Sequence, residues 1–128
     1  PLPFKNVKNK RALVSLDNVV SFICECVINK KSKNQLYLLA DAERPSTADM
    51  INTFSAGMNI EARLIYFPTF ILKILLSAVG KGGIYDQLFG DLEVDATKSR
   101  EHLNWTPPIT LYETMRKTAK YYIEGNKE

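Results

Sequence analysis

Cysteine and histidine are scarce in this chain. Cys24, Cys26 and His102 are the full complement among 128 residues. A disulfide-stapled scaffold is excluded by so few cysteines, and their C-x-C spacing on a predicted helix does not aim the thiols at each other. Two Cys and one His are also a poor donor set for structural zinc, so no metal site is expected. A reducing, cytoplasmic setting is the expectation. Charge of one sign is lacking too: the net charge is only +3, which argues against a dedicated nucleic-acid binder. No apolar run approaches the ~20 residues of a membrane span. The chain opens on Pro1 with no charged segment leading into an apolar one, so a secretory signal is not expected. A start at proline reads as a cut inside a longer protein.

What is present suits one domain, 1–128, with a real core: 45% of residues are hydrophobic and 24% charged. Leu13–Leu16, Leu36–Ala40 and Ala62–Phe67 are apolar runs of strand length. Between them lie helical patterns. Asp17 is placed to cap a helix whose apolar face is Val19, Val20, Phe22, Ile23, Cys26 and Val27, ended by the polar stretch from Asn29. Ser46 and Asp49 have capping-box spacing before Ile51, Phe54 and Met58, with Gly57 as a stop. Thr110 and Glu113 repeat that spacing before Tyr112, Met115, Ala119 and Tyr122. Asp95 is placed to cap a short helix reaching about His102, itself read as a helix-end surface residue. The tail from Gly125 is expected to fray. The pattern predicts an α/β or α+β domain, short strands alternating with helices.

The segment from Phe70 to Val79 is apolar except for Lys73 and Ser77, with Pro68 at the helix start and Gly80 at its end. It is predicted to be a buried helix, or one whose face awaits a missing domain or a membrane surface. The glycines of Gly80-Lys81-Gly82-Gly83 read as a flexible turn. That run follows a helix, not a strand, so it does not form a phosphate cradle.

No complete active site is visible. A dinucleotide glycine motif, a Walker lysine, a nucleophile elbow and a Tyr-x-x-x-Lys pair are all missing; Tyr112 has Arg116 at the last spacing. The N-terminal segment admits two readings. Pro1-Leu2-Pro3-Phe4 is a stiff strip in which Leu2 and Phe4 keep N–H and C=O groups able to meet the edge of a flat heterocycle. Lys8, Lys10 and Arg11 follow, and an arginine fork suits phosphate oxygens. Alternatively the whole segment is a solvated basic arm.

In order and spacing, these residues resemble the C-terminal part of NAD-dependent nucleotide-sugar epimerases of the UDP-glucose 4-epimerase type, which are extended short-chain dehydrogenases. The resemblance runs through Pro1–Phe4, Asn9–Val20, Asn34–Asp41, Pro45–Thr47, the apolar helix before Gly80, Leu92–Lys98 and Leu103–Pro108. The nearest subset makes sugars for bacterial surface polysaccharides. The resemblance implies that a Rossmann domain holding NAD, with the glycine motif and the Tyr-x-x-x-Lys pair, lies upstream and is missing here. It implies that this segment binds the UDP-sugar while NAD takes a hydride from C4 and returns it to the other face. It matches Leu2, Pro3 and Phe4 to the strip contacting uracil, and Arg11 to the arginine gripping the diphosphate. Asp17, Asn18, Asp95, Lys98 and Trp105 match structural positions, with Trp105 under the last helix. A homodimer fits the family. Two departures stand out: Ala12 replaces a frequent Asp, and Tyr85–Asp91 lacks a second phosphate-binding arginine. In Leu103-Asn104-Trp105, Asn104 takes the place of a glycine, an exchange that left-handed backbone permits. A 4-keto-sugar reductase on the same scaffold, or an interaction domain that kept the fold, are the other readings. The segment alone is expected to be inactive.

Overall fold

The computed structural model describes residues 1–78, 80 and 82–125. Among the described residues there are six α-helices, in order α1 Leu16–Ile28, α2 Thr47–Gly57, α3 Thr69–Ala78, α4 Gly82–Phe89, α5 Thr97–Glu101 and α6 Leu111–Gly125. A 3₁₀ turn, Lys30–Ser32, follows α1. The chain divides into two compact units. One comprises Pro1–Arg11, Pro45–Leu92 and Met115–Glu128; the other comprises Ala12–Arg44 and Glu93–Thr114.

The predicted alternation of strands and helices does not appear. Among the described residues β-type pairing amounts to two isolated parallel bridges, Leu2 with Leu64 and Arg11 with Leu92. The physical reason is a lack of ladder partners. Pro1 and Pro3 cannot donate, so the N-terminal strip reaches its neighbour only through Leu2 and Lys5. In the 36–40 segment, Tyr37 and Leu39 pack inward while Leu36 and Leu38 are 80% and 57% exposed. The period-two side-chain alternation of a strand survives there without a sheet to receive its outer face.

Helix ends follow their local chemistry more closely. Ser46 and Asp49 form a capping box at α2, and Thr110 and Glu113 bond reciprocally at α6. Helix α1 starts two residues earlier than predicted, with Ser15 rather than Asp17 at the N-cap. The cause is Asp41, whose carboxylate accepts from the Ser15 N–H at 2.9 Å. Asp95 receives the Thr97 N–H before α5. The Thr97 hydroxyl, then its backbone N–H, hold that carboxyl below its usual range. Asn104 has φ 53° and Gly80 φ 72°, the left-handed conformations their positions predicted. Gly82 and Gly83, read as a turn, instead open α4. Val79, Lys81 and the end of the tail lie outside the described residues.

In the second unit, Phe22 meets Trp105 and Tyr37 edge-on at 5.1 and 5.3 Å, with Leu103, Leu39 and Cys26 around them. Trp105, expected beneath the last helix, packs here on α1 and donates Nε1–H to Ser21 Oγ. Burial, then Glu25, push the Cys26 thiol up. A second cluster of small side chains joins Ala12, Ala40 and Ala96. Only part of the predicted α1 face is covered: Val20, Ile23 and Val27 are exposed.

In the first unit, α2 lies so close to α6 that a Cβ on Gly57 would sit 2.7 Å from Ala119 Cβ. On α6 this unit buries Met115 and Ala119, i and i+4, while Tyr122 is exposed; Leu111 and the exposed Tyr112 belong to the other unit.

The polar centre of the second unit is Asn18, fully buried beside Asp41. Its amide donates to Asp41 Oδ1 at 2.8 Å and to the Ile109 carbonyl at 2.9 Å, while its oxygen accepts from Ile109 N. Asn18→Ala leaves a carboxylate oxygen and both Ile109 backbone groups without their partner. The expected loss is about 1–3 kcal/mol, read as a lower urea midpoint at unchanged slope; an unshifted midpoint would show that water replaces the amide.

Candidate functional site

Asn9, in the middle of the basic segment, is buried. Its amide donates to the Leu88 and Gly90 carbonyls at 3.2 and 3.0 Å, and its oxygen accepts from the Thr47 N–H at 2.9 Å. Thr47 Oγ1 also donates to Leu88 at 2.7 Å. Carbonyls at the end of a helix have no intrahelical partner, and here they are capped by side chains from two distant segments. Lys10 N–H donates to Asp91 at 2.7 Å and Leu92 N–H to the Lys10 carbonyl at 2.8 Å.

Arg11 joins this node. Its backbone N–H donates to Pro45 and its Nη1 donates to the Gly90 carbonyl at 3.1 Å. The side chain is half-buried. A permanent cation at a helix C-terminus is favourable, and one bond leaves most of the five guanidinium N–H groups for other acceptors. Phe4 comes to the same end of α4: its ring lies 5.5 Å from that of Phe89, which stacks on Tyr85 at 4.6 Å. Aromatic rings thus occupy the stretch where the resemblance led one to look for a second arginine.

Leu2 and Phe4 differ from the sequence reading in one respect. Their N–H groups are spent inside the chain. Leu2 donates to Arg63 and Phe4 donates to Leu2, while the Leu2 carbonyl accepts from Ile65 and that of Phe4 from Val7. Carbonyl lone pairs, the Phe4 ring and Pro3 are what this strip can offer a ligand; its N–H donors are taken because the strip runs beside residues 63–65. The structure brings Phe4 and Arg11 to one helix end. Asn9, which sequence reading passed over as one polar residue among lysines, is the side chain that organises it.

A second polar cluster lies in the other unit. His102 Nδ1 is 2.9 Å from the Tyr37 hydroxyl, so this residue, read as a surface position at a helix end, is half-buried and paired. Lys98 Nζ lies over the Tyr37 ring and donates to Gln35 Oε1 and the Leu36 carbonyl. Burial, then the neighbouring Cys26, raise the Tyr37 hydroxyl above its usual value. An open groove of about 540 Å³ runs past Gln35, Thr97, Lys98, Glu101 and His102. Lys98 here ties the 35–36 backbone to α5. Among the described residues no three His, Cys, Asp or Glu side chains group as metal ligands.

Sequence comparison finds a similarity that covers nearly the whole chain. Over 127 residues, 98% of its length, the chain is 35% identical to UDP-glucose 4-epimerase of Vibrio cholerae. It spans 39% of that relative's length. No protein-family model and no solved structure matches it.

Gly90 makes the helix end testable. A Cβ there would run into the Asp86 carbonyl, which already accepts the Gly90 N–H. Gly90→Ala is expected to cost about 1–3 kcal/mol through this overlap. Chemical denaturation measures it; a variant as stable as the parent would show that the node relaxes freely.

Proposed function

We propose that this chain is the nucleotide-sugar-binding part of an NAD-dependent UDP-sugar 4-epimerase, working in the cytoplasm in the synthesis of surface-polysaccharide sugars. The observation that carries the reading is Arg11: a half-buried guanidinium held at one nitrogen by Gly90, beside an aromatic strip, in a chain related end to end to an epimerase. In this reading Arg11 binds the diphosphate of UDP, and Leu2, Pro3 and Phe4 border the uracil through carbonyl and ring contacts. The chain's task is to bind and orient; the partners are the UDP-sugar and a Rossmann domain, with a homodimer as the assembly.

The described residues do not fit NAD. They form no strand leading into a glycine-rich turn, and Gly82 and Gly83 lie inside a helix that follows another helix. The sequence has no Tyr-x-x-x-Lys pair. The cofactor therefore belongs, on this proposal, to polypeptide outside this chain.

Two measurements test the proposal. The chain alone is expected to convert neither UDP-glucose nor UDP-N-acetylglucosamine, with or without NAD; an epimer above the protein-free control contradicts it. In the full-length protein that this reading implies, Arg11→Ala is expected to weaken UDP binding by about 1.5–3 kcal/mol, and Arg11→Lys to recover part of the loss because the fork is gone. Calorimetric titration of UDP reads both. Unchanged affinity for Arg11→Ala would reduce Arg11 to a helix-capping residue.

A further inference from the structure

Hydrogen bonds fill the two carbonyls where α4 ends. The Leu88 carbonyl accepts from Thr47 Oγ1 at 2.7 Å and from Asn9 Nδ2 at 3.2 Å. The Gly90 carbonyl accepts from Asn9 Nδ2 at 3.0 Å and from Arg11 Nη1 at 3.1 Å. A carbonyl oxygen has two lone pairs, so both acceptors are saturated. The Asn9 amide is spent as fully: both its N–H groups are used, and its oxygen takes the Thr47 N–H at 2.9 Å. Arg11 is not spent in this way. Among the described residues its side chain donates to Gly90 alone, and a guanidinium carries five N–H groups. The Arg11 backbone is fixed by other means: its N–H donates to Pro45, and the residue is bridged to Leu92.

We infer that Asn9 is a positioning residue for the diphosphate, acting through Arg11; the inference rests on the UDP-sugar reading above. Asn9 satisfies the helix-end carbonyls so that the guanidinium does not have to. Taking a partner from a part-buried carbonyl costs free energy. Without the Asn9 amide both carbonyls need a new donor. Arg11 is the donor at hand, already bonded to Gly90 and with N–H groups to spare. Charge favours it there too, since a helix C-terminus attracts a cation. A guanidinium drawn further onto α4 turns its fork away from a ligand, and the bidentate grip on phosphate oxygens is lost. The residue type suits the task. Among Lys8, Lys10 and Arg11, a neutral amide fills the carbonyls while adding neither a competing cation nor a counter-charge beside the guanidinium. Asn9 is buried, so it acts through Arg11 and not by touching a ligand. Phe4 reaches α4 through Phe89, without Asn9. The effect of Asn9 is therefore confined to the phosphate end of the ligand.

The test is equilibrium titration of UDP, and separately of uridine, into the full-length protein carrying Asn9→Ala, Arg11→Ala or both. Asn9→Ala is expected to weaken UDP binding by about tenfold and to leave uridine binding unchanged. Where Arg11 is already replaced, it is expected to add little, because the residue it positions is gone. A residue that only holds the fold would weaken UDP and uridine together, or weaken UDP equally with and without Arg11; either result overturns the inference. UDP binding that Arg11→Ala weakens and Asn9→Ala does not overturns it as well, and leaves the UDP-sugar reading standing. UDP binding indifferent to Arg11→Ala removes that reading and the inference with it. If far-UV circular dichroism shows Asn9→Ala unfolded, Asn9→Asp takes its place and is judged in the same way. It is an isostere that keeps the acceptor for Thr47 and removes both donors. The Arg11→Ala background then separates positioning from direct repulsion of the phosphates by the new carboxylate.

Discussion

Buried amide side chains take over, in this chain, the work that backbone ladders do in a sheet. Asn18 bridges α1, the Asp41 segment and the backbone at Ile109. In the other unit Asn9 bridges Leu88, Gly90 and Thr47. An amide carries both donors and an acceptor, so one side chain can satisfy several backbone groups that have no ladder of their own. Each bond adds little net stability, but a buried group left unpaired costs much more, so the two asparagines specify which segments meet. In the second unit the apolar clusters around Phe22 and Ala12 pack beside these contacts.

The candidate site inherits its geometry from the same device. Asn9 and Thr47 gather the end of α4, and Arg11 is then held against Gly90 as part of that assembly. A cation fixed in this way has lost much of its side-chain freedom, and on the proposed reading that lowers the entropic cost of gripping a phosphate. Phe4 reaches the same place through Phe89. Capping a helix and binding an anion are compatible uses of one guanidinium, because its N–H groups form a fork rather than a single point.

Periodicity located the helices but could not say which way they face. The spacing of Ser46 with Asp49 and of Thr110 with Glu113 was legible because a capping box closes within three residues and needs nothing from afar. The apolar segment after Pro68 was legible as a helix, and its outward orientation was not: Phe70 and Leu72 are equally apolar, yet one is exposed and the other half-buried. The α1 pattern failed in the same way, with Phe22 buried and Ile23 exposed. Phe4 and Arg11 could be singled out by residue type and by resemblance. Asn9 could not, since an asparagine among lysines carries no signal of burial.

The sequence by itself determined the capping boxes that open α2 and α6, that the cysteines Cys24 and Cys26 stay free, and that the chain is similar to a UDP-glucose 4-epimerase. Those are properties of neighbouring residues or of residue order. Tertiary structure alone decided that the apolar runs 13–16, 36–40 and 62–67 join no sheet, Leu16 instead opening α1, that Asp41 and not Asp17 governs the start of α1, and that Arg11 meets Gly90. The physical reason is common to all three. Each depends on a partner many positions away, and hydrogen-bond pairing across such distances leaves no trace in local pattern until the chain has closed the loop between them.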